Sequence, residues 1–177
     1  MIIDCLSKAI FLYVIYNIIA LSLFGVPHSL SMTYYLFKNR VNTLRYLFPS
    51  LMMCLVVFLA PCWLELSEGS NFQFTAFLSI GGMLFVGATP SCLSKGIESK
   101  IHDIAAYISV LSALAWIVLV TPYWYIIPIV FSVFAVIAVI TKTAQTNYIY
   151  WLENVAIIST FIAMLTYFER IIKFSIL

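Results

Sequence analysis

The sequence predicts an all-α, polytopic membrane protein, built as a bundle of six transmembrane helices. Of its 177 residues, 64% are hydrophobic and 9% are charged, and the apolar residues fall into six long runs. An ordinary soluble domain carries about 25% charged residues. Because backbone polar groups in lipid must pair within their own segment, apolar runs of about 20 residues are typical of spanning helices. We expect residues 1–177 to form a single integral membrane domain that passes several times through a cell membrane.

The six predicted spans follow one another with short connections. They are Ala9–Val26, Tyr46–Leu64, Phe72–Pro90, Ile101–Thr121, Tyr123–Ile140 and Tyr148–Phe168. The first run is long and lacks a small-residue cleavage site at its end, so we interpret it as a retained helix rather than a signal peptide. Pro122 separates the fourth span from the fifth, because proline cannot continue the preceding helix without the loss of a hydrogen bond.

The basic residues favour one orientation of these spans. The first, third and fifth loops carry Lys38, Arg40, Arg45, Lys95, Lys100 and Lys142. The opposite side carries Lys8, Arg170 and Lys173. By the positive-inside rule, the first set of loops is expected in the cytoplasm and both termini outside.

The first loop has an amphipathic pattern. Apolar residues recur at helical spacing, at Tyr34, Phe37, Val41 and Leu44. We predict that Lys38, Arg40 and Arg45 lie at the membrane surface, where a basic helix face meets anionic headgroups. An ordinary connecting helix whose basic ends snorkel to the interface explains the same pattern. Membrane lipids are therefore the expected partners, a homo-oligomer is an open alternative, and no run of like charge indicates nucleic-acid binding.

Four ionisable residues are predicted to line one polar ligand-binding site on the cytoplasmic side. They are Glu153, His102, Asp103 and His28. Ionisable groups within a membrane are costly and usually functional. A histidine beside a carboxylate can bind a cation, relay a proton or hold a headgroup. The alternative is structural: His102 and Asp103 occupy a first helical turn, where an acid favours the helix dipole, and Glu153 pairs with Lys142, Lys95 or Lys100.

Two predicted spans carry small residues in place of large ones. The third has Gly81, Gly82, Gly87 and Ala88, and the fourth has Ala105, Ala106, Ser109, Ser112 and Ala113. Small residues let helices approach closely in lipid. We favour packing within the chain over a contact between protomers or a pore wall.

Several enzyme classes are excluded by the residues present. Two histidines are too few for a three-histidine zinc site, and the four cysteines include no Cys-x-x-Cys pair. No phosphate-binding loop, dinucleotide fingerprint or Gly-x-Ser-x-Gly elbow occurs, so no metal or cofactor is predicted. The expected function is non-enzymatic: binding or transport of a small solute, ion or lipid at the polar site near the cytoplasmic interface. The alternatives are an oligomerising effector, pore or scaffold acting through basic cytoplasmic loops, and a lipid-acting enzyme.

Three stretches carry a resemblance to known membrane proteins. They are FGVPHSLSMTYY at 24–35, KIHDIAAY at 100–107 and YWLE at 150–153. Together they resemble a group of small, uncharacterised six-helix membrane proteins of gut bacteria and their phages. More distantly, the chain is similar to DRAM/Sfk-type six-helix membrane proteins, in which a histidine opens the fourth span. The resemblance implies a six-helix bundle and no particular reaction.

Overall fold

Seven α-helices make up most of the chain in the computed structural model, which describes residues 2–90, 92–94 and 96–176. The helices are α1 (Ile2–Phe24), α2 (Thr33–Arg40), α3 (Leu47–Leu66), α4 (Phe74–Ala88), α5 (Ile97–Val120), α6 (Ile126–Ile140) and α7 (Tyr148–Ile176). Each of the six predicted spans overlaps one helix, and α2 lies in the first loop. The all-α class is therefore confirmed.

Four segments are long and apolar enough to cross a membrane within the described ranges. They are Ile2–Phe24, Asn42–Leu66, Ile97–Val120 and Tyr148–Lys173. In contrast, α4 and α6 have 15 residues each. A helix of that length measures about 22 Å, against a hydrocarbon core of about 30 Å. Six spans are therefore not confirmed, although four candidate spans indicate a membrane protein.

Turn residues explain why α4 and α6 are shorter than the apolar runs that predict them. Thr89 precedes a proline and leaves the helical region, with φ −120° and ψ 63°, because a following proline disfavours the α conformation. The fifth run begins with Tyr123 and Trp124, which form a turn before α6. Apolar residues in connections thus extend the predicted spans beyond the helices.

The first loop is broken into two short helices. α2 ends at Arg40, Val41 is extended, and a 3-10 helix follows over Asn42–Tyr46. Phe37 is 1% exposed, and its ring packs against those of Tyr16 and Phe24. Val41, in contrast, is 50% exposed, so the continuous amphipathic helix predicted from the spacing does not form.

The long helices surround a central space. α3 packs against α4, α4 against α5, α5 against α7, and α7 against α3, which closes a ring of four helices. α1 lies outside this ring against α3 and α7, and α6 packs against α7.

Small residues bring α4 close to its neighbours in the ring. A Cβ atom on Gly82 would lie 2.7 Å from the Ala105 carbonyl oxygen and 2.8 Å from Ser109 Cβ, and one on Gly87 would lie 2.9 Å from Met52 Cβ. The Ser79 hydroxyl donates to the Ser109 carbonyl, and the Ser109 hydroxyl donates back to the Ser79 carbonyl, both at 3.0 Å. These contacts confirm packing within the chain for the small residues at Gly82 and Gly87.

Candidate ligand site

The four-helix ring surrounds a partly open cavity of about 80 Å³. A cavity needs about 10–15 Å³ to hold one water molecule, so this one has room for several groups of that size. One face of each helix lines the cavity, at the spacing expected of a helix stripe. From α3 the stripe comprises Phe48, Met52, Leu55, Leu59 and Trp63. From α7 it comprises Glu153, Ala156, Ile157, Thr160 and Phe161.

Most polar groups along the cavity wall are already hydrogen-bonded to the protein. The Ser79 and Ser109 hydroxyls are used in their reciprocal pair. The Thr160 hydroxyl donates to the Ala156 carbonyl within α7 at 2.8 Å. The middle of the cavity therefore offers few open hydrogen-bonding groups, although it contains three hydroxyl side chains.

Glu153 is the acidic side chain at the cavity wall. Its Oε2 accepts a hydrogen bond of 2.6 Å from the Leu30 backbone N–H. No group in the described ranges donates a hydrogen bond to its Oε1. Nor does Glu153 form an ion pair with Lys142 or Lys100, and Lys95 lies outside the described residues. A cavity-lining carboxyl group thus retains an open acceptor.

The segment 26–30, which follows α1, is fastened to the start of α7 by three hydrogen bonds. Asn147 Nδ2 donates to the Val26 carbonyl at 2.8 Å. The Tyr150 backbone N–H donates to the His28 carbonyl at 3.1 Å, and the bond from Leu30 to Glu153 is the third. Because the first backbone N–H groups of a helix lack partners within it, the His28 carbonyl satisfies one of them. The fastening fixes the position of Glu153 relative to the cavity.

His102 lines the same cavity and is only 3% exposed. Its Nδ1 lies 2.7 Å from the Thr89 carbonyl oxygen. Because a carbonyl only accepts, Nδ1 carries the proton in this bond. The contact ties the first turns of α5 to the end of α4, so His102 has a structural partner as well as a place at the cavity wall.

The other two predicted site residues lie elsewhere. Asp103 follows His102 in α5 and is exposed. His28 is also exposed, and its ring packs against that of Tyr148 with centroids 6.5 Å apart. The structure therefore brings together Glu153 and His102, but neither Asp103 nor His28 lines their cavity. Asp103 does not line the cavity with His102 because adjacent residues on a helix point about 100° apart.

The predicted membrane-surface residues lie at the end of α2 and just beyond it. Lys38 and Arg40 are exposed. Arg45 is half-buried, its guanidinium lies 4.7 Å from the Tyr46 ring centroid, and its Nη2 donates to the Tyr46 hydroxyl at 2.6 Å. Arg45 is thus held by an aromatic neighbour, whereas Lys38 and Arg40 form no ion pair within the described residues.

One part of the site, and a cysteine next to it, were missed in the sequence. Leu30 and Ser31, from the connection after α1, line the cavity beside Glu153. Cys92, in the connection between α4 and α5, hydrogen-bonds Ser31, and burial raises the pKa of its thiol. No pattern in the sequence distinguishes these residues from other loop residues.

Within the described ranges, no group of three histidine, cysteine or acidic side chains is placed to hold a metal ion. No protein-family model matches the chain, and neither a curated protein nor a solved structure matches it. The cavity is therefore the feature from which we propose a function.

Proposed function

We propose that this membrane protein binds a small molecule in the cavity enclosed by α3, α4, α5 and α7, with Glu153 as its main polar contact. One observation supports it above all: Glu153 lines the cavity, and one of its carboxyl oxygens receives no hydrogen bond from the described residues. The distribution of lysine and arginine between the loops favours the cytoplasmic side of the membrane for the end of the cavity where Glu153 lies.

A binding role needs no reacting group, which agrees with the residues around Glu153. Among the described residues that line the cavity there is no cysteine, and no serine or threonine hydroxyl is paired with a histidine or a carboxylate that would activate it. Nucleophilic catalysis requires such a base within hydrogen-bond reach. Small-molecule sites, in contrast, are mostly apolar with a few placed polar groups.

Native mass spectrometry of the protein in lipid nanodiscs tests the proposal. Nanodiscs are incubated with a small-molecule and lipid extract of the host cells, and the bound mass is recorded for the wild type, Ala106→Phe and Val118→Phe. Ala106 lines the cavity, whereas Val118 is exposed on the same helix. We expect a defined bound mass on the wild type and Val118→Phe, and its loss from Ala106→Phe.

Glu153→Gln adds a test of the polar contact. The amide still accepts the bond from Leu30, so the fastening to segment 26–30 is kept while the charge is removed. We expect weaker binding of the same mass. Equal retention by Ala106→Phe and the wild type would show that the molecule binds outside the cavity, and the proposal would fail.

A further inference from the structure

We infer that the ligand is a single-chain amphiphile, with one apolar tail along the cavity and a head group that donates a hydrogen bond to Glu153. This inference depends on the proposed function, and it adds the chemical class of the ligand. It follows from the direction, the polarity and the hydrogen-bonding capacity of the cavity.

The direction of the cavity follows the helices. Its α3 stripe extends from Phe48 to Trp63, which is about 22 Å along a helix axis. Its α5 stripe extends from His102 to Ala113, about 16 Å. In a membrane-spanning helix that axis lies roughly along the bilayer normal. An extended chain in the cavity would therefore lie parallel to the lipid chains around the protein.

The polarity of the cavity changes along this axis. Glu153, His102 and Ser31 lie at the end where α5 and α7 begin. Beyond them, Leu55, Val110 and Ile157 are among the apolar wall residues. A uniformly polar solute would leave its groups unpaired there, at a cost of about 1–3 kcal/mol for each group. A molecule with one polar end matches the gradient.

The open group at the polar end is an acceptor, which defines the head group. Glu153 Oε2 accepts from Leu30, and Oε1 receives no hydrogen bond from the described residues. The His102 Nδ1–H is already directed to the Thr89 carbonyl. A hydroxyl or ammonium head group supplies the missing donor, whereas an ionised carboxylate head group has no donor to offer.

Three probes with the same tail test the head group. Dodecylamine, dodecanol and dodecanoate are added to nanodiscs of phosphatidylcholine, and occupancy is measured by native mass spectrometry. We expect the amine and the alcohol to bind the wild type and Val118→Phe, and dodecanoate to bind at least roughly tenfold more weakly. Ala106→Phe should lose the amine and the alcohol.

Glu153→Gln separates the head-group contact from the tail contact. The substitution should weaken the binding of dodecylamine by roughly tenfold or more. The binding of dodecanol should weaken by less, because the amide oxygen still accepts a hydrogen bond from a hydroxyl. Circular dichroism and a single native mass establish that the variant is folded.

The outcomes distinguish this inference from the proposed function. If dodecanoate binds the wild type as well as the amine does, the head-group assignment is wrong, whereas a cavity that accepts tails remains. If no probe binds but Ala106→Phe still loses the molecule taken from the host extract, the amphiphile class is wrong and the binding function stands. Equal occupancy of wild type and Ala106→Phe by every probe overturns the inference, because the tails then bind outside the cavity.

Discussion

The Tyr13 hydroxyl of α1 donates a hydrogen bond of 2.7 Å to Asn154 Oδ1 of α7. The reciprocal bond is also formed, since the Tyr150 hydroxyl donates to Asn17 Oδ1 at 2.8 Å. Each asparagine amide donates to the carbonyl of the tyrosine four residues earlier on its own helix. The four side chains are buried. They form a closed hydrogen-bonded unit, the Tyr–Asn square, which joins α1 to α7 in antiparallel orientation.

Removal of one hydroxyl from the Tyr–Asn square should destabilise the protein. Tyr13→Phe leaves Asn154 Oδ1 without its donor, and we expect the free energy of unfolding to fall by about 1–2 kcal/mol. Unfolding by a denaturing detergent in mixed micelles measures the change. Tyr107→Phe is the control, because Tyr107 is 70% exposed. Equal stability of the two variants would show that the square contributes nothing to the packing of α1 on α7.

The helices could largely be predicted from the sequence, but their lengths could not. Each of the six apolar runs overlaps one helix of the described residues, and four of these helices are long and apolar enough to span a membrane. The same runs include Phe72 and Tyr123, which lie in connections, and omit the first turns of α1. Lys8 lowers the mean hydropathy of these turns. Its Nζ nevertheless forms an ion pair of 2.8 Å with Oδ2 of Asp4, four residues earlier on the helix. Such pairs stabilise a helix.

The candidate site was predicted only in part, because depth along a helix does not define direction around it. Glu153 and His102 have a common predicted depth, and both line the cavity. Asp103 has nearly the same depth but lies on another face. The bond from Leu30 to Glu153 joins residues 123 positions apart, so no local pattern predicts it. The Tyr–Asn square does have a local signal, Tyr-x-x-x-Asn, which occurs in both α1 and α7.

The contact between α4 and α5 should not tolerate a methyl group at Gly82. An alanine Cβ there would lie 2.7–2.8 Å from backbone and Cβ atoms of α5, which cannot move without a shift of the helix. We expect Gly82→Ala to lower the free energy of unfolding by about 1–3 kcal/mol. Gly81→Ala is the matched control, since nothing lies within 4 Å of its Cβ position. That variant should be neutral or stabilised by up to about 1 kcal/mol. A similar loss in both variants would contradict close packing at Gly82.

The two buried tryptophans beside the cavity should differ in their tolerance of phenylalanine. Trp63 and Trp116 pack edge to face, with ring centroids 5.7 Å apart. Trp116 Nε1 donates to the Ser67 hydroxyl at 2.6 Å, whereas Trp63 Nε1 is buried without an acceptor among the described residues. Trp63→Phe removes an unpaired donor. It should therefore lower the free energy of unfolding by less than Trp116→Phe does, with a difference of about 1–2 kcal/mol. Detergent unfolding of both variants measures the difference, and the reverse order would contradict the assignment.

The pH dependence of alkylation should report the environment of Cys92. Burial raises the pKa of its thiol, and the hydrogen bond with Ser31 opposes the shift without cancelling it. The thiolate is the nucleophile, and a raised pKa delays its formation as the pH increases. The rate of reaction with iodoacetamide should therefore reach half its maximum at a higher pH than that of an exposed cysteine. The measurement uses a protein in which the other three cysteines are replaced by alanine.

The reference for Cys92 is its neighbour on the same connection. Leu93 is 59% exposed, so Leu93→Cys combined with Cys92→Ser gives an accessible thiol in the same background. Restricted access to Cys92 lowers the rate of its alkylation by the same factor at every pH. The pH at half-maximal rate therefore isolates the pKa from accessibility. Coincident midpoints for the two thiols would mean that Cys92 is not buried against Ser31.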